Sequence, residues 1–290
     1  MRSDFAYIRT ESLTETLELL HEYGPQAQVA AGMTDLMIEV KDGRLKSSLL
    51  IDISRLAELK LIEDRGDRLV LGPLATHADI GASPLVRQAA GVLAEAAQSI
   101  GSPQIRNVGT IGGNIGNASP AADTLPALTV LQANVTVTSR EGQRILPITE
   151  IFLGPYRTVL SPRELITEIS IPRLTGQPRS RFIKLARRKA LATSRLSLAL
   201  LAFFRDARLE EIRISAGATT PTPCRLREAE SFLRDQFLSS EVIVQAARLA
   251  SREMIRRTGL RGSSSYKVPA LQGLFINALN EMTAKEVARC

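Results

Sequence analysis

The first 55 residues alternate between short apolar runs and amphipathic stretches, a pattern typical of strands and helices in succession. Ser12-Leu13-Thr14-Glu15 has the spacing of a capping box and predicts a helix that ends before Gly24-Pro25. The apolar runs on either side predict strands at residues 28–31 and 49–53, and a helical run at residues 36–40 after the cap Thr34-Asp35. Together these elements predict a first lobe, residues 1–55.

A second lobe, residues 56–175, is predicted to combine a sheet with helices. Its apolar runs predict strands at residues 68–72, 134–138, 144–146 and 165–171, with a hairpin turn at Glu141-Gly142. Its helices are predicted at residues 84–100, which are rich in alanine, and at residues 123–131. Thr76-His77-Ala78-Asp79 is a further capping signature.

The stretch between the two predicted helices, residues 101–120, has an unusual composition. It holds five of the nineteen glycines and almost no charge. It is apolar enough to be buried and too rich in glycine to form a plain strand or helix. We therefore expect this segment to be irregular rather than a regular strand or helix.

After turn-forming residues 172–178, the pattern changes to long strands followed by helices, which predicts a separate C-terminal domain, residues 176–290. The predicted strands are residues 181–186, 196–204 and 211–216, and the predicted helices are residues 225–234, 240–256 and 271–288. The domain is thus expected to be a sheet covered by helices, and the whole chain to be an α+β protein.

Composition narrows the class of protein. A chain of 290 residues with 44% hydrophobic and 23% charged residues is too apolar for disorder, and its longest apolar run, residues 196–204, is far short of a membrane span of about 18 residues. Two cysteines and two histidines, all scattered, make neither an iron–sulfur nor a zinc site. The net charge of +7 is spread among 30 acids, so nucleic-acid binding is disfavoured. A cytoplasmic location is expected, because a disulfide framework is absent.

Two glycine turns carry the candidate chemistry: Ala31-Gly32-Met33-Thr34-Asp35 and Thr110-Ile111-Gly112-Gly113-Asn114. Neither has the glycine order of a dinucleotide-binding turn or the lysine of a phosphate-binding loop. Glycine lets backbone N–H groups approach a ligand closely, which suits the diphosphate of a dinucleotide, and Thr34, Thr110 and Asn114 add side-chain donors. Each turn alone is more simply explained as a tight turn, but the presence of two such turns favours a ligand site.

Two acids in these regions have more than one interpretation. A buried carboxylate needs a partner, and ribose or ribityl hydroxyls would provide one for Asp123. Asp123 and Asp35 are equally well explained as helix N-caps. His21 and His77 lie in or beside predicted helices without a paired acid, so neither is assigned a role. No catalytic side chain is therefore predicted.

These motifs resemble those of a known family. Residues 31–36, residues 101–107 and residues 110–114 look like the FAD signatures of the FAD-binding, or medium, subunits of the molybdenum hydroxylases. That family includes flavoprotein subunits of xanthine, nicotinate and carbon monoxide dehydrogenases. Residues 161–166 and 182–188 also match in order and spacing, so the resemblance covers essentially the whole chain.

The resemblance implies a two-lobed FAD-binding domain of the PCMH, or vanillyl-alcohol-oxidase-like, type, followed by the C-terminal domain. Both glycine turns would wrap the diphosphate and ribityl chain of FAD, and Asp123 would bind its sugar hydroxyls. The residues implied to contact FAD are Val29, Ala30, Ala31, Gly32, Met33, Thr34, Asp35, Leu36, Ile100, Thr110, Ile111, Gly112, Gly113, Asn114, Asp123, Ile166 and Lys184.

The chain departs from the family pattern in two places. Met33 stands where many members have a second glycine, so the turn must avoid positive φ there or bear its cost of about 1 kcal/mol or more. The cysteine-bearing insertion of the 4-hydroxybenzoyl-CoA reductase branch is missing, which disfavours that branch. FAD is therefore expected to be the only redox group of this chain.

The function implied by the resemblance is electron transfer within a heteromeric oxidoreductase that is incomplete without its partners. A large subunit with molybdopterin would hydroxylate a substrate such as a purine or nicotinate, and a small subunit with 2Fe–2S clusters would pass electrons to FAD. NAD⁺ or another acceptor would receive them. The basic stretch Arg179 to Lys189 is either a docking surface or a solvated face. The alternatives are a stand-alone FAD oxidoreductase and a flavin-free scaffold of the same fold.

Overall fold

The computed structural model describes residues 5–188 and 191–287. Its N-terminal lobe is a three-stranded parallel sheet in the order β1-β3-β2. The elements of this lobe are β1 (Ala6–Arg9), α1 (Leu13–Tyr23), β2 (Ala27–Ala30), α2 (Leu36–Lys41) and β3 (Leu49–Asp52). Ser12 caps α1 as predicted, because its side chain accepts a hydrogen bond from the Glu15 N–H. The central strand, β3, is buried along its full length.

A five-stranded antiparallel sheet in the order β4-β5-β10-β6-β7 forms the second lobe. Its strands are β4 (Ile62–Asp64), β5 (Arg68–Leu71), β6 (Asn134–Ser139), β7 (Gly142–Pro147) and β10 (Leu165–Pro172). A small hairpin, β8 (Phe152–Gly154) and β9 (Arg157–Thr158), lies between β7 and β10 in the chain. The hairpin predicted around Glu141-Gly142 is the β6–β7 pair.

Six short helices cross over between β5 and β6. They are α3 (His77–Ala82), α4 (Pro84–Ala89), α5 (Gly91–Gln98), α6 (Pro103–Arg106), α7 (Ile111–Asn117) and α8 (Thr124–Val130). The single helix predicted over residues 84–100 is wrong, because Ala90 leaves helical geometry with φ −146° and ψ 50° and separates α4 from α5.

The expectation that residues 101–120 form no regular helix is also wrong. Residues 111–117 form α7, although three of its seven residues are glycine. Thr110 caps this helix, and Ile111, Gly112 and Ile115 are buried. Tertiary packing therefore outweighs the low intrinsic helix propensity of glycine.

The C-terminal part is a three-stranded antiparallel sheet in the order β11-β12-β13, with three helices after it. Its elements are β11 (Arg179–Ala186), β12 (Ser194–Arg205), β13 (Arg208–Gly217), α9 (Arg227–Leu233), α10 (Ser240–Thr258) and α11 (Ser264–Val287). The predicted helix end at Ala288 lies outside the described residues, as do Met1–Asp4, Lys189, Ala190 and Cys290.

The C-terminal sheet is covered on both faces. Leu198 and Leu200 of β12 pack with α9, α10 and α11, whereas Ala199 and Leu201 join the core that contains α5 and α8. Alternating side chains of a strand point to opposite faces, so a strand buried on both sides is apolar throughout. This explains the long apolar run of residues 196–204. None of the helices in the described ranges is long and apolar enough to cross a membrane.

Candidate functional site

A cleft of about 560 Å³ lies between the parallel sheet of the first lobe and the second lobe. The loop after β2 forms one side of it. The start of α7, residues 156–166 and further residues of both lobes, such as Leu20 and Pro73, also line it. Apolar side chains such as Leu74, Leu160 and Ile166 share the lining with polar groups of the two glycine turns. Clefts of this size, largely apolar with a few placed polar groups, are typical ligand sites.

The first glycine turn presents unused donors to this cleft. The N–H groups of Gly32, Met33, Thr34 and Asp35 find no acceptor among the described residues. All four residues line the cleft and precede α2. Asp35 stands at the N-cap position of α2, as the N-cap interpretation predicts, but its side chain makes no capping bond. Consecutive free N–H groups ahead of a helix are suited to an anionic group.

Met33 has a backbone conformation that glycine adopts more readily than other residues. Its φ is +56°, in the left-handed region that disfavours residues with a Cβ. The Met33 carbonyl accepts a hydrogen bond of 3.0 Å from the Met37 N–H, which holds the turn closed. Of the two possibilities given by the sequence, the turn therefore adopts positive φ at Met33, with its energetic cost.

Gly32 is the point at which the two glycine segments touch. A Cβ on Gly32 would lie 1.8 Å from the Val108 carbonyl oxygen, closer than any real contact. The loop after β2 therefore packs directly on the residues that lead into α7. This contact brings two segments that are far apart in the sequence to one cleft.

The second glycine turn contributes side chains rather than free backbone donors. The N–H groups of Ile111, Gly112 and Gly113 bond to the Ala75 carbonyl, the Pro73 carbonyl and the Thr110 Oγ1 at 3.0, 2.8 and 3.1 Å. The prediction that its backbone N–H groups would bind a ligand therefore does not match the geometry at these residues. The Thr110 hydroxyl proton is left to donate.

Asn114 has a defined orientation at the same place. Its Oδ1 accepts a hydrogen bond of 2.5 Å from the Thr124 Oγ1, which fixes the amide. The Asn114 Nδ2 meets no acceptor among the described residues, and the residue lines the cleft. Asn114 therefore adds a positioned donor beside Thr110.

His77 is a buried member of the cleft wall that was not assigned a role from the sequence. Only 3% of its surface is exposed, and its Nδ1 has no hydrogen-bond partner in the described structure. Burial, together with the charge of Arg106, lowers the pKa of His77 to about 4, so the ring is neutral at pH 7. His21, by contrast, lies 2.8 Å from the Glu141 carboxylate, so the expectation that it lacks a paired acid is wrong.

Asp123, Lys184 and Ser194 form a second polar group outside the cleft lining. The Asp123 carboxylate is 5% exposed and accepts bonds from Lys184 Nζ at 2.6 Å and Ser194 Oγ at 2.5 Å. Burial raises the pKa of Asp123, and the Lys184 ammonium acts in the opposite direction. Asp123 also stands at the N-cap position of α8, but its carboxylate makes no capping bond and pairs with Lys184 and Ser194 instead.

The predicted FAD residues thus separate into three sets. Those lining the cleft are Val29, Ala31, Gly32, Met33, Thr34, Asp35, Leu36, Thr110, Gly112, Gly113, Asn114 and Ile166. Ala30 and Ile111 lie in the core directly behind it. Asp123 and Lys184 form the second polar group, and Ile100 follows Ser99, whose carbonyl accepts a bond of 3.0 Å from Lys184.

Residues 156–160 form a part of the cleft wall that no sequence motif marked, whereas residues 161–166 were marked by the family resemblance alone. Tyr156, Leu160 and Glu164 line the cleft, and no glycine or capping signal marks them. For residues 156–160 the one available signal was their place in a stretch rich in turn formers before β10. Their position depends on the β8–β9 hairpin, whose two- and three-residue strands are too short to show a pattern.

Part of the predicted basic stretch has structural partners. Arg181 pairs with Glu281 of α11 at 3.0 Å, and Arg179 donates to the Met282 carbonyl at 2.5 Å. Arg188 donates to the Leu191 carbonyl at 2.6 Å, and Lys189 lies outside the described residues. Arg179 and Arg181 therefore connect β11 to α11. The sequence had predicted either a docking surface or a solvated face for this stretch, and not such contacts within the chain.

Comparison with known proteins finds matches along nearly the whole chain. The description "FAD binding domain in molybdopterin dehydrogenase" matches residues 3–174, and "CO dehydrogenase flavoprotein C-terminal domain" matches residues 181–282. The chain is 34% identical to the nicotinate dehydrogenase FAD-subunit of Eubacterium barkeri, covering 94% of each chain. It is 31% identical to the glyceraldehyde dehydrogenase medium chain of Sulfolobus acidocaldarius, covering 96% of this chain and 98% of the other.

A solved structure supports the same relationship. The fold matches a chain of the carbon monoxide dehydrogenase from Hydrogenophaga pseudoflava with a TM-score of 0.90 and 29% identity. The match covers 97% of both chains. The similarity therefore includes both the cleft-bearing lobes and the C-terminal sheet.

Proposed function

Because the chain belongs to the family of FAD-binding medium subunits of the molybdenum hydroxylases, we propose that it relays electrons through FAD within a heteromeric hydroxylase. The family, the α+β fold, the oxidoreductase class and the FAD cofactor expected from the sequence are confirmed by these relationships. The proposal adds the path: electrons arrive from an iron–sulfur subunit and leave to NAD⁺ or another acceptor.

The observation that carries the proposal is the row of unused N–H groups at Gly32, Met33, Thr34 and Asp35 in the cleft. We propose that these four groups bind the FAD diphosphate, with Thr110 Oγ1 and Asn114 Nδ2 donating beside them. Four backbone donors hold two negative charges without a lysine or arginine. The donor set thus fits FAD even though both standard nucleotide motifs are missing.

The remaining predicted residues have supporting roles in this proposal. Asp123 and Lys184 lie against the sugar and ring portions of FAD, with Ile100 near them, and Ile166 contacts it from the cleft wall. Ala30 and Ile111 support the two turns from the core. The chemistry that FAD supplies is the uptake of electrons singly or in pairs and their release to an acceptor. The protein's part is to bind, orient and shield, so no acid or base is required of this chain.

The partners and substrate follow the family. We propose a large subunit with molybdopterin and a small subunit with 2Fe–2S clusters, acting in the cytoplasm on an N-heteroaromatic substrate such as a purine or nicotinate. The nicotinate dehydrogenase FAD-subunit is among the most similar relatives, which supports this substrate class. We also propose that the chain divides functionally into an FAD-binding domain, residues 1–175, and a C-terminal domain, residues 176–290.

Isolation of the complex from its native source tests the electron path. A tagged chain is expected to bring down two further subunits with molybdenum and iron, and the complex is expected to reduce NAD⁺ or a dye with its substrate. The chain alone is expected to show only slow dye-linked oxidation of NADH. Full turnover by the isolated chain would support a stand-alone oxidoreductase instead, and a chain with neither partners nor flavin would support a scaffold.

A further inference from the structure

Tyr156 is an exposed aromatic residue in the proposed FAD cleft. Within the part of the chain that the structure describes, it is the only phenylalanine or tyrosine among the lining residues. Its side chain is 66% exposed, although the chain has only 12 phenylalanine and tyrosine residues and no tryptophan. A large ring that the protein itself leaves uncovered is available to pack on a ligand.

The backbone holds Tyr156 in place at some cost. Its φ is +57°, in the left-handed region that disfavours a residue with a side chain. The Tyr156 N–H donates a hydrogen bond of 2.9 Å to the Ala118 carbonyl, directly after α7. Such conformations persist where surrounding structure enforces them, and they are frequent at ligand sites. The hairpin β8–β9 is thus fastened to the end of the glycine-rich helix.

The position of this anchor relates Tyr156 to the proposed diphosphate site. Thr110 lies at the start of α7 and Ala118 at its end, and a helix of seven residues is about 10 Å long. In a dinucleotide, a ribose separates the diphosphate from the adenine by a distance of this order. Leu160 and Ile166 line the same cleft and add apolar surface for a flat base.

The residues proposed to contact the other end of FAD lie outside the cleft. Asp123 and Lys184 do not line the cleft, and Ile100 is next to the residue that binds Lys184. The cleft therefore accounts for one end of the cofactor, and the group around Asp123 for the other. Because Asp123 and Lys184, which the proposed function places against the ring portion of FAD, lie outside the cleft, the adenosine end is the one assigned to the cleft.

We propose that the ring of Tyr156 stacks on the adenine of bound FAD and thereby holds the adenosine end in the cleft. This inference rests on the proposed FAD site. It assigns recognition of the adenine to one side chain. Among the described phenylalanine and tyrosine residues, no other lines the cleft. Base stacking tolerates loss of the phenol hydroxyl, so the ring and not the hydroxyl is the required feature.

The test compares three ligands on the full-length chain by calorimetric titration: FAD, ADP and FMN. Removing an aromatic ring from a stacked base weakens binding by roughly 5-fold to 150-fold. Tyr156→Ala is therefore expected to lose affinity for FAD and ADP by such a factor, while its affinity for FMN, which has no adenine, stays unchanged. Tyr156→Phe is expected to bind all three like the original chain.

Leu153→Ala is the matched control, since Leu153 is a 59% exposed side chain on the same hairpin that does not line the cleft. It is expected to leave all three affinities unchanged. An unaltered affinity of Tyr156→Ala for ADP would overturn the inference, as would an equal loss for FMN, while FAD binding by the original chain would leave the proposed function intact. If the original chain binds no FAD, the proposed function itself fails, and this inference fails with it.

Discussion

Gly32 shows how a single missing Cβ joins two distant segments. The residue touches the Val108 carbonyl oxygen so closely that any side chain would force the loops apart. Its glycine was noticed in the sequence as a ligand-binding feature, but the steric reason is the packing of one loop on the other. The cleft exists because these loops meet.

Gly32→Ala is expected to disrupt the cleft. The added Cβ would lie 1.8 Å from Val108 O, and overpacking of this kind costs about 1–3 kcal/mol. We expect a lower urea midpoint and at least a tenfold weaker affinity for FAD in a fluorescence titration. Gly273→Ala is the control, because a Cβ there meets nothing within 4 Å. Equal FAD affinity in Gly32→Ala would show that the loop contact does not shape the site.

His77 is expected to make stability depend on pH. Its pKa is about 4 in the folded chain against an ordinary value near 6.5, so below pH 6.5 the unfolded chain binds a proton that the folded chain does not. Stability should therefore fall as the pH drops from 6.5 to 4, by up to about 3 kcal/mol from this residue. Urea unfolding between pH 8 and pH 4 measures it.

His77→Leu serves as the comparison, since it places an apolar side chain without a titratable group in the same buried position. The difference in unfolding free energy between the original chain and His77→Leu should shift in favour of the variant as the pH falls through this window. Parallel pH profiles for both proteins would contradict the neutral, buried histidine.

At the scale of elements, the long strands and amphipathic helices were predictable because their periodicity is strong. Residues 196–204 and 240–256 were assigned correctly, and β12 and α10 extend only a few residues beyond them. The glycine-rich α7 was not, because its helix depends on packing against Pro73 and on the Thr110 cap rather than on propensity. The break between α4 and α5 was not predicted either, because the residue at the break is alanine and not proline or glycine.

Lys184 connects three elements that are far apart in the chain. From β11 it reaches the carbonyl of Ser99 after α5 and the carboxylate of Asp123 before α8. Lys184→Met removes the partner of a buried charge, which costs about 3–5 kcal/mol. We expect a corresponding loss of stability in urea at pH 7.

The double variant Lys184→Met with Asp123→Asn is expected to recover part of that loss, because the uncompensated charge is gone. The penalty of Lys184→Met alone should also shrink as the pH is lowered, since its buried Asp123 would take up a proton more readily than in the unfolded chain. A penalty that is equal in the single and double variants would show that the unpaired charge of Asp123 is not the cause of the loss.

On the scale of the whole molecule, the C-terminal sheet joins the two halves of the chain. One face of β12 belongs to the core that contains α5 and α8, and the other to the core of α9, α10 and α11. The sequence indicated the double burial through its continuous apolar run, but not which helices lie on each face. The candidate site could likewise be predicted only in part. Motifs mark its two glycine turns, but which segments lie against those turns depends on the tertiary fold.

The visible absorption spectrum of the purified full-length chain, after incubation with FAD and removal of the unbound cofactor, tests the central claim most directly. The account predicts a flavin spectrum with about one FAD per chain, as expected for a single cleft with one set of donors. Gly32→Ala treated in the same way should retain much less. A colourless chain that does not retain added FAD would contradict the account.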